Sequence, residues 1–116
     1  MTNNQTKKER FLRDPISVRL GGLAANLARI NSFSRNPENQ DAVFDLFEES
    51  KYFIEWTAAE TEIDTAVDLV DLQLQIAIWQ RNWQKNWDDV ILRESLAKAS
   101  SNWSQRLLER SGLLNR

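Results

Sequence analysis

Carboxylates are the most regularly spaced chemical groups in this chain. Asp41, Asp45 and Glu48 follow an i, i+4, i+7 pattern, and Asp64, Asp68 and Asp71 repeat it. On a helix this spacing puts three acids on one face. Carboxylates on facing helices can hold two metal ions, but that arrangement also uses Glu-x-x-His pairs. The chain has no His and no Cys. Only an all-oxygen Mg²⁺, Mn²⁺ or Ca²⁺ site is therefore open to these acids. A solvated acidic face is the simpler reading, and no metal or cofactor is expected. Lys51, spaced to pair with Glu48 and Glu55, supports that reading.

The lack of His and Cys also removes the commonest general base and the thiolate nucleophile. "RLGGLAAN" is not a phosphate loop, since it lacks the GK[ST] ending and a preceding strand. No G-x-S-x-G is present. Carboxylates, Lys85, Lys98 and Tyr52 remain as acid–base groups, and nothing in the sequence gathers them. A non-enzyme is expected.

The most distinctive segment is "WQRNWQKNW", residues 79–87, with a Trp at every fourth position. Trp79, Trp83 and Trp87 share a helical face, which Leu69, Leu72 and Ile76 extend upstream. A nearly opposite face carries Ile63, Ala66, Val67, Val70, Leu74, Ala77 and Ile78. A helix apolar on two sides belongs at the centre of a fold or at an interface between chains. Core packing is the first expectation for the three Trp, with Gln80, Asn82, Gln84 or Asn86 accepting from the indole N–H groups. The alternative is a stacking surface for a planar ligand, with Arg81 and Lys85 adding cation–π contacts.

Two further patterns concern contacts. Gly21, Ala25, Ala28 and Ser32 lie on one helical face, where small side chains allow a second backbone to approach. Lys7, Lys8, Arg10 and Arg13, followed by Arg19, Arg29 and Arg35, form a basic arm and helix of the kind that grips phosphates. Charge is strongly segregated, however: +5 over residues 1–36, −10 over 37–72 and +3 over 73–116. The acidic middle argues against a broad nucleic-acid surface, and no nucleic-acid partner is expected.

The elements that position these groups are helices, because apolar spacing is three to four residues nearly throughout. The 116 residues suit one domain, and the 41% hydrophobic content can supply a core. The expected fold is all-α, a four-helix up-and-down bundle with helices at about 14–35, 37–57, 62–86 and 89–111. Asp14-Pro15 and Asn36-Pro37 start the first two helices, and Gly112 stops the last. Asn86 or Asp88 is the expected cap of the fourth. "TAAETEID", residues 57–64, holds no Gly or Pro but two capping-box spacings, Thr57 with Glu60 and Thr61 with Asp64. The break is placed there. The alternative is three helices, with one long helix over 38–86. Residues 1–13 are expected to be a flexible basic tail, and 14–114 a single bundle domain. The start has no apolar signal-peptide region, and no apolar run approaches the ~20 residues of a bilayer span. A cytoplasmic setting without membrane contact is expected.

"RDPISVRLGGLAANLARI", "EESKYFIEWTAAETEID" and "LLERSGLL", with the Trp-rich segment 79–87, resemble a group of short, uncharacterised, all-helical proteins from cyanobacteria. The likeness spans about residues 13–114. It implies a bacterial cytoplasmic setting, and no activity, cofactor or partner comes with it.

The function expected from these features is protein–protein interaction or homodimerisation. The candidate surface comprises Gly21, Ala25, Ala28, Leu72, Ile76, Trp79, Arg81, Trp83, Lys85 and Trp87. The alternative is a bundle with a Trp-lined pocket for a planar or apolar small molecule.

Overall fold

The computed structural model describes residues 3–115. It contains six α-helices: α1 (Asn3–Leu12), α2 (Ile16–Phe33), α3 (Gln40–Thr57), α4 (Ile63–Arg81), α5 (Trp83–Asp88) and α6 (Val90–Ser111). Short 3-10 turns follow at Pro37–Asn39, Ala58–Glu60 and Leu113–Asn115. No strand occurs among the described residues. The fold is all-α, as the apolar spacing predicts.

The four long helices form an antiparallel bundle. Along α2 and α6, Arg93 Nε donates to the Ser34 carbonyl, Ser104 Oγ to that of Ala24, and Leu113 lies against Gly21. Numbers rise on one helix as they fall on the other. Asn26 in mid-α2 meets Glu49 and Ser50 in mid-α3. Phe47 of α3 packs on Trp79 of α4. The start of α4 meets the end of α6 where Asp68 accepts from Arg110. The order around the bundle is therefore α2, α3, α4, α6.

Apolar stripes build the core. Leu20, Leu23, Leu27 and Ile30 of α2 are buried against Val43, Phe47 and Ile54 of α3. Leu69, Leu72, Ile76 and Trp79 of α4, Trp87 of α5, and Leu96 and Leu107 of α6 complete it. On α6 the buried positions also include Ala97, Ser100 and Ser104. These small residues let α2 and α6 lie close, and the Ser104 bond to Ala24 is their direct product.

The helix ends differ in part from expectation. Asn36 caps the 3-10 turn after Pro37 by accepting from Glu38 N at 2.9 Å. Asp89 caps α6 by accepting from Ile91 and Leu92 N, in place of Asn86 or Asp88. Gly112 ends α6 with φ 77°, the left-handed conformation that suits glycine. Asp14 caps nothing with its side chain; its carbonyl accepts from Arg19 Nε instead. The break between α3 and α4 falls where it was placed, so the long 38–86 helix does not form. Neither capping box forms. Thr57 Oγ1 is buried without a partner, and Thr61 Oγ1 donates back to the Ala58 carbonyl. A buried Arg19 holds this turn through Glu60 at 2.9 Å, while also donating to the Leu12 carbonyl at 3.1 Å.

Two more departures matter for the site. The expected flexible tail is instead helical over Asn3–Leu12, and Met1 and Thr2 lie outside the described residues. Phe11 stacks on Phe53 with centroids 4.1 Å apart, and Lys7 pairs with Glu49, so aromatic burial and charge tie α1 to α3. The expected 62–86 helix divides at Asn82 into α4 and α5. Asn86 Nδ2 spans the break to the Trp79 carbonyl, satisfying a group the interrupted ladder leaves open.

Candidate functional site: the uncovered face of α4

The opposite apolar faces of α4 meet opposite fates. The Leu69, Leu72, Ile76 and Trp79 face is buried. The other stays in solvent: Ile63 is 81% exposed, Val67 53%, Val70 50%, Leu74 58% and Ile78 60%. Five branched aliphatics at spacings of four, three, four and four form one stripe along the helix. Ala77 is exposed beside them. α3 and α6 flank the buried side, and nothing among the described residues covers this one.

Polar groups border the stripe. With about 100° per residue, Arg81 lies nearly on its centre line, one turn beyond Ala77. Asp64 and Asp71 lie roughly 60–80° to one side. Both acids and Arg81 are exposed, and none has a side-chain hydrogen bond or ion pair among the described residues, though the charge of Asp64 reaches Arg110. Asp68 differs. It is buried, and its Oδ2 lies 2.7 Å from Arg110 Nε and 3.4 Å from Arg106 Nε. The hydrogen bond and charge of Asp68 raise the Arg110 guanidinium above its ordinary range. The acids of the second triplet are thus divided between a buried ion pair and an open edge. No group of three or more His, Cys, Asp or Glu placed to hold a metal occurs among the described residues.

The structure scatters the ten residues expected to form a surface. Leu72, Ile76, Trp79 and Trp87 are buried in the chain's own core and offer no surface to a partner. Trp83 is partly buried between Phe44, Phe47 and Trp87. Arg81 and Lys85 are exposed, as are Ala25 and Ala28 on α2. Gly21 instead faces the Leu113 side chain: a Cβ there would sit 2.8 Å from Leu113 Cδ1. The close α2–α6 approach thus uses the edge holding Gly21 and Ala24, and leaves Ala25 and Ala28 to solvent. The exposed apolar surface is instead formed by Ile63, Val67, Val70, Leu74 and Ile78. Their periodicity was visible in the sequence, but it did not show which of two apolar faces the bundle covers.

The Trp cluster also uses other partners than expected. Trp87 Nε1 donates to the Pro37 carbonyl at 2.8 Å, across 50 residues of sequence. The Arg93 guanidinium, rather than Arg81 or Lys85, makes the cation–π contact, 5.4 Å from the Trp87 ring. Gln80 bridges to Glu48 and Lys51, and Gln84 to Gln40 and Asp88. The amides therefore join helices rather than serve indoles. A cleft of about 580 Å³ between α2 and α6 is lined by Arg35, Arg93, Lys98 and neighbouring polar groups. Another, of about 430 Å³, lies beside Tyr52 and Trp56. Neither is lined by Trp79, Trp83 or Trp87.

No helix among the described residues is long and apolar enough to cross a membrane. Comparison with known proteins found no matching family model, no matching curated protein and no matching solved structure.

Proposed function

We propose that this chain is a non-catalytic interaction module that forms a homodimer through the uncovered face of α4. The observation that carries the reading is the five-residue aliphatic stripe, each member at least half exposed. Scattered exposed aliphatics are ordinary, but an aligned row is not. The row amounts to on the order of 500 Å² of apolar surface, at the upper end of what a monomer shows. Two such faces together remove about 1,000 Å², the lower limit for a specific interface. A second copy is the occupant that brings an equal aliphatic row, and the commonest closed assembly is such a two-fold pair.

Sedimentation equilibrium over a wide concentration range tests the reading. A reversible monomer–dimer equilibrium is expected. A strict monomer at millimolar concentration overturns it, as does a dimer unaffected when Val67 and Leu74 are both changed to Ser.

A further inference from the structure

We infer that the two α4 helices pair antiparallel, with Arg81 of each copy meeting Asp64 of the other. This orientation rests on the self-association proposed above and adds to it a direction and a register.

The stripe begins Ile63, Val67, Val70, Leu74, a four–three–four spacing like that of a helix-pair seam. Its polar border is asymmetric along the helix. The first half carries Asp64 and Asp71, and the end carries Arg81. Among the described residues Asp64, Asp71 and Arg81 make no ion pair, although the charge of Asp64 also acts on Arg110, whereas Asp68 is held directly by Arg106 and Arg110. Charges left unpaired on the rim of an apolar face set the direction of docking more than its strength.

A parallel pair would place Arg81 against Arg81, and the acidic starts side by side. It would also align the two helix dipoles. An antiparallel pair turned about a point between residues 72 and 73 avoids all three. Val67 then lies opposite Ile78, and Val70 lies within one residue of Leu74. Asp64 lies opposite Arg81. The acidic edges of the two copies face each other, with Asp71 level with Leu74 of the other copy, so that the two Asp71 are offset by three residues, about 4.5 Å along the axis. Every aliphatic of the stripe from Val67 to Ile78 finds an aliphatic partner, and the unpaired cation finds an acid.

The absence of Cys makes the test direct, since any introduced Cys takes a spin label alone. Glu62→Cys and Gln73→Cys lie off the stripe, at its start and near the proposed two-fold axis. In the antiparallel pair, the two Glu62 sites are separated along the axis by about 32 Å, at 1.5 Å per residue. The two Gln73 sites have almost no axial separation. Label–label distances measured by pulsed electron resonance should therefore be much longer for Glu62→Cys than for Gln73→Cys. Equal distances at the two sites overturn the antiparallel orientation while leaving the dimer standing. A monomeric chain without dipolar coupling overturns self-association itself.

Charge reversal tests the register. Arg81→Glu should weaken dimerisation about tenfold, because a rim pair is lost twice in a symmetric contact. Adding Asp64→Lys should restore it, and 0.5 M salt should narrow the gap between wild type and Arg81→Glu. Unchanged affinity in Arg81→Glu, or no recovery in the double variant, overturns the Asp64–Arg81 register.

Discussion

Leu74→Ala separates assembly from folding, because Leu74 sits on the open side of a helix whose other side is core. The substitution removes three carbons. At about 0.8 kcal/mol per buried CH₂, scaled by the 58% of Leu74 exposed in the single chain, each copy forfeits roughly 1.4 kcal/mol. A two-fold interface counts the loss twice, giving about 2.8 kcal/mol, or on the order of a hundredfold in the dimer Kd. This is a ceiling, reached if the partner covers the side chain completely. Folding of the single chain should change by no more than about 1 kcal/mol, the share of the same burial already covered within the chain, partly offset because Ala is a strong helix former. Leu69→Ala, on the same helix but fully buried, should instead cost about 2–5 kcal/mol of folding stability. Sedimentation equilibrium reads the first quantity, and urea unfolding at a concentration below the dimer Kd reads the second. A Leu74→Ala Kd within threefold of wild type refutes the argument. So does a folding loss comparable to that of Leu69→Ala, which would place Leu74 in the core.

Three other outcomes follow from particular contacts. Gly22 is helical, and a Cβ there meets nothing within 4 Å, so Gly22→Ala should stabilise the fold by about 0.4–1 kcal/mol. Gly112→Ala, at φ 77°, should destabilise it by about 1 kcal/mol, and thermal melts of the two variants should move in opposite directions. Trp87→Phe removes the donor to the Pro37 carbonyl and part of a buried ring system, so urea unfolding should show a loss of at least about 1–2 kcal/mol. Partial burial pushes the Glu49 carboxyl upward, but hydrogen bonds from Lys7 and Asn26, with the charges of Lys7 and Arg29, outweigh it and hold the carboxyl below its ordinary value. Its contribution is therefore complete above the ordinary carboxylate range and is lost as pH falls through the lowered value. Glu49→Gln should flatten the acid limb of a stability–pH curve and leave the neutral region with a similar slope.

The bundle was largely legible because α2 states its core in one row, Leu20 to Ile30, and because Pro37 and Gly112 mark boundaries by covalent geometry. The Trp segment was legible too, once its phase joined that of Leu69, Leu72 and Ile76. The uncovered face was harder. Periodicity identified two apolar sides of α4, but choosing between them needs the number of neighbours, a tertiary quantity. The break at Asn82 carries no Gly or Pro, and depends on Asn86 reaching back to Trp79. The contact of α6 with α2 was hidden by its chemistry. Ala97, Ser100 and Ser104 are small and two of the three are polar, yet their value lies in letting backbones approach. In α1, a polar composition suggested a tail, and the one signal against it was Phe11, which finds Phe53, Trp56 and a place in the fold.

Trp87 and Arg93 have a consequence for how this molecule opens. Trp87 donates to the Pro37 carbonyl, while Arg93 donates to the carbonyls of Ser34 and of Trp87 itself. Two turns some fifty residues apart are thereby riveted at one end of the bundle. Neither can loosen without stripping the other of its bonds. Amide exchange at Glu38 and Asn39 should then share one opening free energy with exchange at Asp89, instead of each loop fraying alone.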